Sequence, residues 1–211
     1  MTTPPGSAPP AASDPASALA PAPARPLRAD ARRNRAKVLE AAREVFAAEG
    51  LAVPLDEIAR RAGVGAGTVY RHFPTKEALF EAVVVDRLEA LAADGQARLA
   101  APDPGPAFFE YFTRLVLDAG EKADLADLLA SSGVALQEST LAAGARMKDV
   151  LHALLTRAQQ SGAVRADVTA DDLHSLAVGA IAAEQRNVTM GNPTPPGHLV
   201  RIICDGLAAR S

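Results

Sequence analysis

This sequence of 211 residues gives no indication of a disulfide, a membrane span or a secretory signal. The single cysteine, Cys204, has no intrachain partner, which indicates a protein of a reducing compartment. No apolar run reaches the ~20 residues that a transmembrane helix requires. The N-terminus lacks a basic segment followed by an apolar one, so no secretory signal is recognisable. We therefore expect a cytoplasmic protein that has no membrane partner.

Metal and catalytic motifs are missing as well. The four histidines, His72, His152, His174 and His198, do not have the spacing of metal ligands, and one cysteine adds none. Glycine-rich residues 63–67 lack the preceding strand and the other residues of a nucleotide-binding fingerprint. No nucleophile motif is recognisable. The sequence therefore predicts neither an enzyme nor a bound metal or cofactor.

The chain has no tryptophan and only 4% aromatic residues, although 48% of its residues are hydrophobic. Alanine supplies much of this apolar content, and alanine-rich stripes favour helices over sheets. No run of alternating β-branched residues is present. We expect an all-α fold of about nine helices.

Charge is divided unevenly along the chain. Residues 25–76 hold 11 Lys and Arg against 6 Asp and Glu, a net charge of +5, whereas the remainder has a net charge of −8. This division is typical of a protein with one end on nucleic acid, although a +5 block alone also fits a solvated surface.

The clearest local pattern lies in residues 54–76. Leu55, Ile58, Ala59 and Ala62 have the i, i+3, i+4, i+7 spacing of a helix with one apolar face. Gly63 then provides the positive φ that ends a helix at low cost. A second helix follows after about three residues, which is the connection of a helix-turn-helix unit.

The second helix, residues 66–73, has an outer face without carboxylates. Val69 and Phe73 are expected to face inward with Val64. The groups left outside can hydrogen-bond to bases and phosphates without repelling a polyanion. They are Thr68, Tyr70, Arg71 and His72.

About residues 31–90 resemble the DNA-binding domain of the TetR family of bacterial transcriptional regulators. The matching residues are Ile58-Ala59, Ala62-Gly63-Val64, Gly67-Thr68-Val69-Tyr70, His72-Phe73 and Lys76-Glu77-Ala78-Leu79. One departure is Val53-Pro54, where family members often carry a Ser or Thr that caps the helix and contacts phosphate. The resemblance implies a DNA-binding unit of three helices, a connecting helix, and a larger domain for an effector and a second copy.

The DNA contacts expected from residue chemistry and the resemblance surround the second helix. Small residues at its start allow close approach to a groove, and Lys76 lies in the first turn of a helix capped by Thr75. The basic run before residue 38 is either a solvated helix start or a flexible arm that contacts phosphates or a minor groove. The expected contacts are Arg35, Gly65, Ala66, Gly67, Thr68, Tyr70, Arg71, His72 and Lys76.

Domain boundaries follow composition. Residues 1–28 form a tail rich in Pro and Ala that we expect to be disordered. Residues 29–94 form the DNA-binding domain with its connecting helix, and residues 95–211 form the effector and dimerisation domain. The helices expected in order are 30–49, two short ones within 54–73, 75–94, 106–120, 122–131, 138–161, 170–188 and 195–209, with a break at 102–106.

The second domain contains a cluster of aromatic side chains that is either core or, as the resemblance implies, the lining of an effector pocket. A pocket of this kind favours an apolar or aromatic effector, with a few polar contacts. The candidates are Phe108, Tyr111, Phe112, Leu128, Leu136, Met147, Leu151, His152 and Gln185.

Two amphipathic helices at the C-terminus either complete the core or form a homodimer interface, as they do in the family. A dimer would read a palindromic operator with two half-sites. The candidates are Leu173, Leu176, Ala180, Leu199, Ile202 and Ile203.

These patterns together predict a ligand-responsive, homodimeric transcriptional repressor that binds double-stranded DNA and releases a palindromic operator when a small-molecule effector binds. The alternative is a helical protein-binding module whose helix-turn-helix does not read DNA.

Overall fold

A computed structural model of the chain describes residues 1–2, 25–120 and 137–209. These residues form eight α-helices, with one 3-10 turn (Gly50–Ala52) and no β-strand, so the all-α expectation is confirmed. The helix expected at 122–131 lies outside the described residues. In order, the helices are α1 (Arg25–Glu49), α2 (Leu55–Ala62), α3 (Ala66–His72), α4 (Lys76–Arg98), α5 (Pro104–Gly120), α6 (Glu138–Gln160), α7 (Ala170–Thr189) and α8 (His198–Leu207).

The first hydrophobic core lies among α1, α2, α3 and the first half of α4. Phe46 of α1 and Phe80 of α4 meet edge to face, with ring centroids 5.6 Å apart. Ile58 and Val69 bring the inner faces of the two short helices onto these rings, and neither is more than 1% exposed. Because short helices are marginal alone, this burial is what fixes α2 and α3 in place.

The second core is built by α5, α6, α7 and α8. Phe108, Tyr111 and Phe112 are fully buried on α5, and Leu154 and Leu173 reach them from α6 and α7. The aromatic cluster of the sequence is therefore mainly core.

Helix α4 contributes to the first core, packs at Gly95 against residues of the second, and is linked to its neighbours by polar contacts. On one side, Arg43 of α1 donates to the Asp86 carboxylate at 2.7 Å. On the other side, the Thr140 hydroxyl of α6 donates to the Glu81 carboxylate at 3.0 Å. The helix is thus the physical connection between the N-terminal core and the C-terminal core.

Three helix starts differ from the sequence expectations by two or more residues, and one of them is α8, which begins at His198 rather than at residue 195. Helix α1 begins at Arg25 rather than at residue 30, so its backbone extends into the segment expected to be a tail; residues 3–24 of that segment lie outside the described residues. Helix α5 begins at Pro104, inside the expected break. The Asp103 carboxylate accepts the Gly105 N–H at 3.3 Å. Proline is tolerated in a first turn because the N–H it lacks would be unpaired there.

Candidate nucleic-acid interface and effector cavity

The turn between α2 and α3 has the geometry that its glycine predicts. Gly63 has φ 63° and ψ 33°, and its N–H donates to the Arg60 carbonyl at 3.2 Å. The next N–H, of Val64, donates to the Ala59 carbonyl at 3.0 Å, and the Val64 side chain is buried. The connection is therefore short and closed, and it holds α3 at a fixed angle to α2.

Helix α3 turns its polar side chains outward as expected. Val69 and Phe73 are buried, at 1% and 4% exposure, whereas Tyr70 is 46% exposed. Arg71 and His72 are exposed beside it, and Thr68 is half-buried. None of these four polar side chains makes a hydrogen bond or an ion pair to another described residue, so their donors and acceptors are not taken up within the described part of the chain.

Charge on α2, by contrast, is already neutralised. Glu57 accepts two hydrogen bonds from Arg60, at 2.6 and 2.8 Å, and one from Arg61 at 2.8 Å. The hydrogen bonds from Arg60 and then Arg61 lower the pKa of Glu57 to about 2. Arg61 also donates to Glu49 at 2.5 Å, which ties α2 to the end of α1. Arg71 of α3 has no such carboxylate partner among the described residues.

The start of α4 forms a second polar group beside α3. The Thr75 hydroxyl accepts the Ala78 N–H at 3.1 Å, which confirms the expected cap. Lys76 is the first residue of α4 and is half-buried. Unpaired N–H groups and a lysine at a helix start favour an anion such as a phosphate. At the start of α2, Pro54 makes no side-chain cap, in line with the departure noted in the sequence.

Arg35 lies next to this surface for a reason that the sequence did not disclose. Its guanidinium carbon is 5.8 Å from the ring centroid of Phe73, the residue that ends α3. The contact is a cation–π interaction, which positions the guanidinium beside the end of α3.

A cavity of about 220 Å³ lies among α5, α6 and α7. It brings together four of the expected pocket residues, Phe112, Met147, Leu151 and His152. Sequence reasoning missed Lys148 and His174 at its rim; the spacing of Lys148 and His152 (i, i+4) was the available signal. The remaining lining residues are Leu115, Asp149, Ala170, Asp171, Leu173 and Ala177.

Three other expected pocket residues do not line this cavity. Phe108 and Tyr111 lie in the core, and Gln185 is half-buried on α7. Leu128 and Leu136 lie outside the described residues. The cavity is therefore smaller and closer to α7 than the aromatic cluster alone indicates.

Tyr111 is the most unusual polar group of the C-terminal core. Its hydroxyl is buried and has no hydrogen-bond partner among the described residues. Burial, with the nearby charge of Asp94 as a smaller cause, raises the pKa of Tyr111 to about 12. The hydroxyl is thus a neutral donor without an acceptor.

The expected dimer residues divide into two groups. Leu173 and Ala180 face the core, at 0% and 5% exposure, so helical phase turns them away from a partner. Leu199 and Ile203 are partly buried against the same core. The large apolar side chains exposed on α7 and α8 are Leu176 (39%), Val178 (52%), Val188 (66%) and Ile202 (55%).

No described helix is both long and apolar enough to cross a membrane. In the same part of the chain, no three His, Cys, Asp or Glu side chains are grouped so that they would hold a metal ion.

Solved structures with this arrangement include two close matches. A TetR transcription regulatory protein from Mycobacterium vanbaalenii is 46% identical with a TM-score of 0.70, and the match covers 87% of this chain and 100% of that one. The TetR transcriptional regulator SCO0520 from Streptomyces coelicolor is 32% identical with a TM-score of 0.68, covering 84% and 99% of the two chains.

Sequence comparisons agree. The uncharacterized HTH-type transcriptional regulator TtgW of Pseudomonas putida is 43% identical over 72 residues, which are 34% of this chain and only 54% of TtgW. Residues 38–83 match the model of bacterial regulatory proteins of the tetR family, and residues 103–209, half of the chain, match the C-terminal domain of SbtR-like transcriptional regulators. The chain belongs to the TetR family of bacterial transcriptional regulators, which bind DNA and are not enzymes.

Proposed function

We propose that this regulator is a cytoplasmic repressor that binds a palindromic operator as a homodimer and leaves it when a small apolar or aromatic effector occupies the C-terminal domain. The observation that carries the DNA-binding part is the outer face of α3. Tyr70, Arg71 and His72 are exposed there without an internal partner, and no carboxylate lies among them. Tyr70 and Lys76 are assigned mainly to phosphate, and Thr68, Arg71 and His72 to the major groove.

The homodimer is supported by apolar side chains that this chain leaves uncovered. Ile202 of α8 and Val178 of α7 are each more than half exposed. Two copies of one short reading helix would contact two half-sites about one helical turn or more apart, which gives the affinity that one copy lacks. Ile202→Glu should therefore dissociate the dimer and weaken operator binding. Leu141→Glu is the matched control, because Leu141 is 58% exposed on α6, on neither dimer helix.

The effector part is supported by the cavity among α5, α6 and α7. At about 220 Å³ it is smaller than the ~300–1,000 Å³ of drug-sized pockets, so the effector is small. Phe112, Met147 and Leu151 offer apolar surface, and His152 and His174 lie at the rim. A wider groove of about 700 Å³ between α5 and α8 fits less well, because Arg98 and Glu110 in its wall are already ion-paired.

A contiguous set of contacts connects this cavity to the DNA-binding surface. Helix α6 lines the cavity at Met147 and, two turns earlier, donates the Thr140 hydroxyl to Glu81. Glu81 lies little more than one turn after Lys76, the first residue of α4. An effector that displaces α6 therefore acts on α4, and the population shifts toward dimers whose reading helices no longer match the half-site spacing.

The first experiment is a gel shift of the purified protein with its own upstream intergenic DNA, at two salt concentrations and with excess competitor DNA. A specific shift that weakens with salt is expected, because phosphate neutralisation releases counterions. If this DNA gives no shift, selection from random sequences follows. A protein that selects no sequence and shifts no DNA is not a DNA reader, and the alternative of a helical protein-binding module then replaces the proposal.

The effector is then sought by release of the operator in a small-molecule screen. Met147→Trp serves as the cavity test, since an indole is larger than the thioether side chain it replaces and narrows the cavity that Met147 lines. This variant should bind the operator as the wild type does but no longer respond to the effector. A full response from the variant would place the effector site elsewhere.

A further inference from the structure

One face of α1 is basic in the first turns of the helix and apolar in the later turns. Arg32, Arg35, Leu39, Ala42 and Phe46 are separated by three, four, three and four residues, so they lie in one stripe on one side of the helix. The last three are buried, at 2%, 0% and 0% exposure. The two arginines continue the same face beyond the edge of the core and are exposed.

The Arg35 contact with Phe73 fixes the direction of this face. The guanidinium lies over the ring that ends α3, so the basic part of the stripe overhangs the end of the reading helix. In the sequence, the same register continues upstream to Arg28 and Arg25. Every position of the stripe before Leu39 is therefore an arginine.

The other basic residues of these turns lie elsewhere on the helix. Arg33 forms an ion pair with Asp30, and both lie on the side of α1 that faces away from the stripe. Lys37 lies about half a turn from Arg35 and is also exposed. The positive charge on the stripe is thus free of carboxylate partners among the described residues, whereas part of the charge on the opposite side is neutralised.

We propose that the first turns of α1 form a rigid helical arm that binds DNA phosphates flanking the groove occupied by α3, through Arg32 and Arg35. The inference rests on the proposed function, since it requires α3 to sit on DNA. Arginine suits phosphate because its planar fork donates two parallel hydrogen bonds. A helix holds the two side chains at a fixed spacing, so the arm extends the contact along the backbone without reading sequence.

The test compares two pairs of variants with the same change in charge. Arg32→Ala with Arg35→Ala should reduce the slope of log affinity against log salt by about 0.9 for each lost phosphate contact, about 1.8 in all. Arg33→Ala with Lys37→Ala removes the same charge from the opposite side and should reduce the slope by less than half as much. Base preference, measured with single-base operator variants, should be unchanged in both pairs.

A third variant separates a helical arm from a flexible one. Ala36→Pro keeps every charge but breaks the helix between Arg32 and residue 36, because it removes the N–H that bonds the carbonyl of residue 32. This variant should lose most of the slope that the Arg32 and Arg35 pair loses. Thermal unfolding checks that the core, which begins at Val38, is intact.

The outcomes are distinguishable from those of the proposed function. A wild-type protein that binds no DNA overturns the proposed function and this inference with it. A wild-type protein that binds, with equal slope losses in the two charge pairs, overturns the arm alone. A wild-type slope in Ala36→Pro overturns its helical character.

Discussion

The Tyr111 ring occupies the space in which a side chain at Gly95 would stand. A Cβ built on Gly95 would lie 2.8 Å from Cε2 and 2.9 Å from Cζ of Tyr111, and it would also contact Val150. Glycine is thus the only residue that lets α4 approach α5 and α6 this closely. The contact lies where α4 leaves the N-terminal core and enters the C-terminal one.

Gly95→Ala should therefore destabilise the protein. An alanine would favour the helix by about 1 kcal/mol, but overpacking against a buried ring and a buried valine costs about 1–3 kcal/mol. Because the Cβ would lie under 3.0 Å from buried atoms, we expect the overpacking to dominate and the free energy of unfolding in urea to fall by up to about 2 kcal/mol. Gly144→Ala on α6 is the matched control, because no described atom lies within 4 Å of its Cβ position. That control should be neutral or stabilising; equal losses in both variants would refute the packing argument.

Thr140→Val should weaken the link between α6 and α4. The substitution keeps the shape of a side chain that is 5% exposed but removes the hydroxyl that donates to Glu81 at 3.0 Å. A hydrogen bond to a charged group contributes about 1.5–3 kcal/mol to stability. Because Glu81 is partly exposed, we expect Thr140→Val to lower the free energy of unfolding in urea by about 1 kcal/mol. Ser139→Ala, which removes a longer and exposed 3.3 Å bond to the same oxygen, should cost less.

The same variant also tests transmission. Once an effector is known, its effect is measured as the operator affinity without effector divided by the affinity with effector. Thr140→Val should reduce this ratio, while the cavity among α5, α6 and α7 still binds the effector. An unchanged ratio would show that the signal does not pass through Glu81.

Tyr70 provides the sharpest test of the reading face. Tyr70→Ala removes an exposed hydroxyl and ring from α3, and we expect operator binding to fall by tenfold or more, because each 1.4 kcal/mol is a factor of ten. Tyr70→Phe removes the hydroxyl and keeps the ring. This variant should already show most of the loss of operator affinity that Tyr70→Ala shows. Helicity and dimerisation should be unchanged in both, and wild-type affinity in Tyr70→Ala would remove this residue from the DNA contacts.

The DNA-binding half was readable from sequence because its signals are local. The glycine of the turn, Gly63, sits one residue after the apolar stripe of α2, and both take their meaning from neighbours within two turns. Helical period alone assigned Val69 to the inside and Tyr70 to the outside, and the structure confirms both.

The C-terminal half was less readable because its decisive contacts join residues far apart in the chain. Helical period marks Phe108 and Phe112 as one apolar stripe, but it does not say whether that stripe closes on itself or leaves a cavity. Gly95 is a similar case, since a glycine inside a helix indicates close packing without naming the partner. Arg35 was assigned to DNA from its charge and the family resemblance, and its contact with Phe73 depends on the angle between two helices.

Tyr111→Phe should not lower stability near neutral pH, and at alkaline pH the variant should be more stable than the wild type. Near neutral pH, removing a buried hydroxyl that has no described partner should leave the free energy of unfolding unchanged or increase it by about 1 kcal/mol. The pKa of Tyr111 is raised from 10.0 to about 12 in the folded state, so folding holds this proton more tightly. Its contribution is therefore constant below pH 10 and is lost as the pH rises from about 10 to 12, because the unfolded chain ionises first.

Phenylalanine at position 111 has no hydroxyl to ionise, so the variant does not lose this stability between about pH 10 and pH 12. The difference in urea unfolding free energy between the variant and the wild type, measured at pH 8 and pH 11, should widen by about 1 kcal/mol or more. A destabilised variant at pH 8 would instead mean that the hydroxyl has an acceptor beyond the described residues. A difference that stays constant from pH 8 to 11 would mean that Tyr111 titrates as an exposed tyrosine does, and that its hydroxyl is not buried in the folded protein.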